Sequence, residues 1–312
     1  IMMIPARTLD TILFFTDKGK VYSEKTYQIP EASRIGKGIS IVNILALEAD
    51  ERITAAIPVP DFDEASYCTL ATIKGQIKRV ELSEFASVRP SGLIAMGLKG
   101  DDKLGWARLT SGEDDIIIVT ELGKALRYKE DNVRSMGRPA AGVKAIKLLN
   151  DDKVTTMDVV EPGGTLLTVT ETGIGKQTPL EEYSAKGRAT KGILTMDKKA
   201  IKEIGKIVAA RVVQQDDHLT LMSTEGVIIR LKVNEVKTAG RATRGVHLMR
   251  TKDGDTVAAV ARIAAKDLKQ VGRERRGSFF SNSNFWLMWE SLGFLMLASP
   301  LSSQRYPTLG LR

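Results

Sequence analysis

A short turn phrase recurs five times in this 312-residue chain, at Thr16–Lys20, Thr72–Gln76, Thr120–Lys124, Thr170–Ile174 and Ser223–Val227. Its glycines, Gly19, Gly75, Gly123, Gly173 and Gly226, stand 56, 48, 50 and 53 residues apart. A second glycine follows each one, Gly38, Gly92, Gly142, Gly192 and Gly245, after 19, 17, 19, 19 and 19 residues. Two landmarks held in phase over five units restrict the chain to a repeat architecture, in which each unit buries its core against its neighbours.

Residues 114–163 show what one unit contains. Asp115–Thr120 is short and β-branched, which predicts a strand buried on both faces. Gly123 makes a tight turn, and Ala125–Tyr128 alternates as the return strand of a hairpin. Val143–Leu148 alternates as a third strand, and Val154–Val160 supplies a fourth after the turn acids Asp151 and Asp152. The other units repeat the plan, with first strands at Ile12–Thr16, Thr69–Thr72, Leu166–Thr170 and Leu219–Ser223. Only Lys198–Glu203 approaches a helical pattern, as a short insertion in the fourth unit. Four short strands per ~50 residues predict an all-β, propeller-like ring of four-stranded blades. The blades are expected at about residues 7–62, 63–113, 114–163, 164–215 and 216–266, within a domain spanning 1–270. The tail, 271–312, leaves the repeat and reads as disordered or non-native. Its apolar run Phe285–Ala298 is too short to span a membrane and is interrupted by Glu290.

Charge narrows the partners. The formal net charge is +8, from 46 basic and 38 acidic residues. From Arg273 onward the tail holds five basic and two acidic residues, leaving 41 against 36 in the repeat body. That excess is modest, so placement has to carry the argument. The single cysteine, Cys68, lies in a strand-like run and reads as a buried, inert thiol, in keeping with a reducing compartment.

The cations gather at one phase of the repeat, the link between the hairpin and the third strand. Unit one carries Arg34 and Lys37 there, unit two Arg89, unit three Arg134 and Arg138, with Lys144 and Lys147 just after. Unit four carries Lys186, Arg188 and Lys191, and unit five Arg241 and Arg244, with Arg250 just after. No acidic residue falls inside Ala32–Gly38, Ser87–Gly92, Arg134–Gly142, Lys186–Gly192 or Gly240–Gly245. Equivalent positions of stacked blades share one rim, so the set predicts a curved positive belt, with glycines that let backbone N–H groups approach phosphates. The body holds ten of the seventeen aromatic residues, too few to stack successive unpaired bases, which favours duplex over single-stranded DNA.

At these residues the chain resembles the C-terminal domain of the bacterial gyrase A protein, a DNA topoisomerase component, and its relative in topoisomerase IV. The resemblance covers about residues 7–265 and rests on Lys20–Tyr22, Tyr27–Ala32, Ile41–Leu45, Asp50–Thr54, Thr110–Asp114, Gly187–Gly192 and Leu248–Thr251. It implies a β-pinwheel of normally six blades with exchanged strands, five of them present here. The family's first blade and its basic, glycine-rich box are absent, and Arg34–Gly38 is a degenerate counterpart in the next blade. The resemblance implies a domain that binds, bends and wraps duplex DNA without sequence preference around its perimeter. It implies as partners DNA, the remainder of gyrase A, and gyrase B, with ATP and magnesium used elsewhere in the holoenzyme. The implied location is the bacterial cytoplasm, at the nucleoid. A topoisomerase IV domain is the alternative, and a protein-binding propeller the second.

Other chemistries find little support. His218 and His247 have no cysteine or paired carboxylate at ligand spacing, so neither a metal nor a catalytic site is expected. Gly36-Lys-Gly38 and Gly173-Ile-Gly175 do not open a helix after a strand, so no nucleotide cofactor is expected. No membrane and no small-molecule substrate is expected either.

Overall fold

A computed structural model describes residues 2–30, 39–63, 66–149, 151–252, 254–266 and 294–297. After β1 (Met2–Pro5), unit one contributes β2 (Thr11–Thr16), β3 (Lys20–Lys25) and β4 (Ile53–Val59). Unit two contributes β5 (Tyr67–Thr72), β6 (Gln76–Glu81), β7 (Leu93–Ile94) and β8 (Leu104–Thr110). Unit three contributes β9 (Asp115–Thr120), β10 (Lys124–Lys129), β11 (Val143–Lys144) and β12 (Val154–Val159). Unit four contributes β13 (Thr165–Thr170), β14 (Ile174–Pro179), β15 (Ile193–Leu194), helix α1 (Ile201–Ile204) and β16 (Ile207–Val213). Unit five contributes β17 (His218–Ser223), β18 (Ile228–Lys232), β19 (Val246–His247) and β20 (Val257–Ile263), and β21 (Phe294–Leu297) pairs with β1.

The first and second strands of every unit form the expected antiparallel hairpin, and the fourth strand pairs on the other side of the first. The third strand departs from the sequence reading in length and address. It is two residues long, not the six of Val143–Leu148, and it leaves its own unit. β7 adds to β3, β11 to β6, β15 to β10 and β19 to β14, so each donating unit completes the blade before it. Ala145 and Ile146 do not extend the pairing; they are buried between blades two and three. Four blades are thus four-stranded, and blade five has three strands among the described residues. The turn acids hold the hairpins: Asp102 Oδ1 accepts the Lys74 and Lys103 amides, and Asp152 Oδ1 those of Leu122 and Lys153.

The core lies between blades. Along β9 the period-2 alternation divides four apolar residues between two neighbours. Ile116 and Ile118 join the cluster shared with Ala71 and Ile77 of blade two, while Ile117 and Val119 join Leu166 and Val212 of blade four. Between blades one and two, Phe15 and Phe85 meet edge to face with centroids 5.9 Å apart. Cys68 is fully buried in the same cluster. The far face of blade one, Ile12 and Phe14, is covered by Ile29, Ile41 and Leu45 of its own link.

The fourth strands β4, β8, β12, β16 and β20 stand side by side around a hub, and β1 touches both β4 and β20, so the circle of inner strands closes through it. The donated strands lie at the opposite edge of each blade, away from the hub.

Candidate nucleic-acid interface

Strand exchange decides where the basic links go. Each link must travel outward to deliver its short strand to the preceding blade, so it runs along that blade's outer edge. The Met136 amide donates to Arg79 O of β6 at 3.0 Å, the Lys186 amide to Arg127 O of β10 at 2.8 Å, and the Ala239 amide to Gln177 O of β14 at 2.8 Å. The second landmark glycines mark the arrival. At Gly142 (φ +80°) a Cβ would lie 2.5 Å from Ile77 O, and at Gly192 (φ +65°) 2.6 Å from Ala125 O. Only glycine fits that close approach at a positive φ.

Successive links are tied to one another. The Gly97 amide donates to Ala140 O at 3.2 Å, the Lys147 amide to Thr190 O at 2.8 Å, and the Asp197 amide to Thr243 O at 3.3 Å. The segments of units two to five therefore follow each other end to end around the perimeter.

Of the cations singled out in the sequence, Arg34 and Lys37 lie outside the described residues. Arg89, Arg134, Lys144, Lys147, Lys186, Lys191 and Arg250 are exposed, and none has an ion pair among the described residues. Four others are held. Arg188 donates to Asn132 O at 3.0 Å and Lys144 O at 2.9 Å. Arg138 Nε stands 3.4 Å from Glu84 Oε2, Arg241 Nε 3.5 Å from Glu182 Oε2, and Arg244 Nη1 2.9 Å from Glu203 Oε2. The glycine-rich stretches that hold these cations carry no acid, but the turns that open the unit-two and unit-four links supply Glu84 and Glu182, and α1 supplies Glu203.

Residues that the sequence reading passed over add to the site. Lys124 and Lys198 join Lys147 and Lys191 around a cavity of about 360 Å³ with one carboxylate, Asp152. Lys78 and Lys176 are fully buried beneath the links, with their Nζ atoms on loop carbonyls. Their signal was positional: three residues after the turn glycine, units one, three and five carry Tyr22, Leu126 and Ile229.

The hub is a second cavity, of about 640 Å³, and acids do line it. Each is neutralised. Arg108 Nε donates to Asp158 Oδ1 at 2.8 Å, and Arg262 Nη2 to Glu161 Oε2 at 2.8 Å. Burial pushes the Asp158 carboxyl up, but the Arg108 and Arg211 guanidinium groups outweigh it and hold it below the usual range. Burial lowers Arg211 to about 10. His218 Nδ1 accepts a hydrogen bond from Arg230 Nε at 3.1 Å. Among the described residues no group of His, Cys, Asp or Glu is placed to hold a metal ion, and no helix is long and apolar enough to cross a membrane.

Comparisons with known proteins agree with this geometry. The profile of the family described as the DNA gyrase C-terminal domain, beta-propeller, matches five segments, residues 10–60, 67–111, 114–161, 164–214 and 217–264. The DNA gyrase A protein of Salmonella typhimurium is 42% identical over 262 residues, 84% of this chain and 30% of that protein. The Staphylococcus epidermidis gyrase A protein is 42% identical over 268 residues, 85% of this chain and 30% of that protein. The chain thus spans less than a third of the length of these relatives. Among solved structures, a C-terminal domain of DNA topoisomerase IV is similar with a TM-score of 0.76 and 27% identity, covering 86% of this chain and 85% of that one. A DNA gyrase A C-terminal domain gives 0.73 and 25%, covering 82% and 83%.

Proposed function

This chain belongs to the DNA gyrase C-terminal domain family, and from that premise we propose that its perimeter binds, bends and wraps duplex DNA without sequence preference. It serves as the accessory DNA-binding part of a gyrase, and it supports supercoiling by a holoenzyme whose remaining gyrase A and gyrase B parts supply cleavage and ATP turnover. Its setting is the bacterial cytoplasm, where the chromosome lies.

The observation that carries this reading is the end-to-end linkage of the basic segments along the outer blade edges. A positive track that curves with the body offers phosphates one cation after another. Affinity then comes mainly from counterion release, and contacts distributed along the track offset the cost of bending, on the order of several kcal/mol for ~30 base pairs.

Electrophoretic mobility shifts with a long and a short duplex, each at two salt concentrations, test it. The long duplex is expected to bind more tightly, with affinity that falls steeply as salt rises. Equal affinity for both lengths, or indifference to salt, contradicts wrapping. The corresponding domain of topoisomerase IV is the alternative assignment, supported by the 0.76 TM-score to that structure. Relaxed plasmid treated with a nicking-closing enzyme in the presence of the chain probes the wrap itself: retained supercoils support it.

A further inference from the structure

We propose that Lys78 and Lys176 are positioning residues of this rim: each buried ammonium gathers carbonyls of the basic link donated by the next unit, and so fixes where Arg138 and Arg241 stand. The DNA-dependent part of this inference rests on the function proposed above.

Lysine is almost never fully buried without a partner that compensates its charge. Both of these are 0% exposed. Lys78 Nζ donates to Gly137 O at 3.1 Å and Arg138 O at 2.5 Å. Lys176 Nζ donates to Gly240 O and Arg241 O, both at 2.6 Å, and to Thr243 Oγ1 at 3.0 Å, which uses all three of its N–H groups. No carboxylate lies within ion-pair distance of either Nζ among the described residues. Glu84 and Glu182, with Asp197, act on them only at longer range, and Arg138 opposes Lys78. The hydration each ammonium gives up is therefore replaced by loop carbonyls, and those carbonyls converge only in one loop shape.

The same two arginines are held a second time from the side. Glu84 faces the Arg138 guanidinium, and Glu182 accepts the Arg241 amide at 3.1 Å and faces its guanidinium. Blades two and four thus carry one device, a buried lysine, an acid in the following turn and a rim arginine. Blade three carries Leu126 instead of the lysine, and there Arg188 itself reaches the carbonyls of Asn132 and Lys144. Burial, first among the causes, lowers both lysines to about 8, so their charge is costly to keep where it is. A charge kept at a cost and spent on loop geometry fits a task of placement.

Two measurements on the full chain decide the matter. The first needs no DNA. Cys68 is fully buried, so a nitroxide on Ala242→Cys or Ser135→Cys reports each link separately. Lys176→Met is expected to sharpen the spectrum at 242 and leave 135 unchanged, and Lys78→Met to do the reverse. Unchanged spectra in both variants overturn the proposal. Where Lys176→Met fails to fold, Thr243→Ala removes one acceptor from an exposed loop position and is expected to shift the 242 spectrum the same way, to a smaller extent. The second is a double-mutant cycle on duplex affinity. Lys176→Met and Arg241→Ala are each expected to weaken binding about threefold, on the scale of one phosphate contact. The double variant is expected to lose no more than the larger single loss. Losses that multiply mean that Lys176 does not act through Arg241, and overturn the positioning role. A wild-type chain that binds no duplex defeats the DNA reading instead, and leaves the nitroxide spectra to judge the lysines.

Discussion

Glu182 illustrates how single residues tune the rim. Its carboxylate faces Arg241, and a phosphate must displace it to use that guanidinium fully. Both groups are partly exposed, so the pair itself is worth little, ~0–1 kcal/mol. Glu182→Gln is therefore expected to raise duplex affinity by about two- to fivefold at low salt, through a freed cation and a lost repulsion of phosphate. A titration showing equal or weaker binding would count against Arg241 as a phosphate contact. The buried lysines make a separate prediction about pH. Each sits at about 8 in the folded chain, below the ordinary 10.5, because of burial. Between those values the unfolded chain holds protons that the folded chain has released, so stability rises with pH from about 8 to about 10.5. Urea midpoints measured across that window are expected to climb less in Lys78→Met than in wild type, and identical slopes would refute the assignment. Neither lysine was legible as special in the sequence. Within Gln76–Arg79 a lysine next to the inward Ile77 reads by alternation as an outward-facing residue, and only the comparison with Tyr22 and Leu126 at the same phase marks it as inward. The arginine-paired acids escaped for a related reason: Glu84, Glu182 and Glu203 lie 54, 59 and 41 positions from their partners.

At the scale of elements, hairpins were readable and strand exchange was not. The run Asp115–Thr120 declares a strand buried on both faces, because every second residue is apolar on each side, and β9 divides them between two blades as that pattern requires. Turn acids such as Asp102 and Asp152 were also in plain view just before the fourth strand, although the hairpin-turn amides they accept, those of Lys74 and Leu122, lie far back in the same unit. The third strand is different. Two residues carry no periodicity, and the partner of Val143–Lys144 lies in another unit, so the alternation of Val143–Leu148 suggested a longer strand of its own blade. The glycine that precedes it holds the information instead. At Gly142 a Cβ would meet Ile77 O at 2.5 Å with φ at +80°. Gly142→Ala is expected to cost about 2–4 kcal/mol, from left-handed backbone strain and the displaced strand edge. Urea unfolding measures it, and a loss under about 0.5 kcal/mol would mean that the exchanged strand contributes little to blade two. Phe15→Ala, at the contact with Phe85 between blades one and two, is expected to cost about 3–5 kcal/mol by the same measurement.

At the scale of the molecule, the belt was legible as a phase in the sequence and became a place only through topology. Cations recurring between the two landmark glycines could face any direction until the links were seen to run outward to the preceding blades. The pairing of those cations then sorts them into two classes with different consequences for salt. Arg89, Arg134, Lys144, Lys147, Lys186, Lys191 and Arg250 are exposed without an ion pair among the described residues, and under the proposed wrap each releases a counterion from DNA. About seven such contacts, at ~0.9 per phosphate, give a slope of log affinity against log salt of about −6 for a duplex long enough to meet them all. A duplex that reaches one link alone should show a slope of about −2. Lys186→Ala with Lys191→Ala is expected to make the long-duplex slope shallower by about 2. Arg241→Ala with Arg244→Ala should change it by only about 1, because Glu182 and Glu203 already neutralise part of that charge in the free chain. Equal changes from the two pairs would show that the carboxylates let go as DNA binds without affecting the ion count. No change from the first pair would break the link between the exposed cations and the track, and with it the case for a wrap around this perimeter.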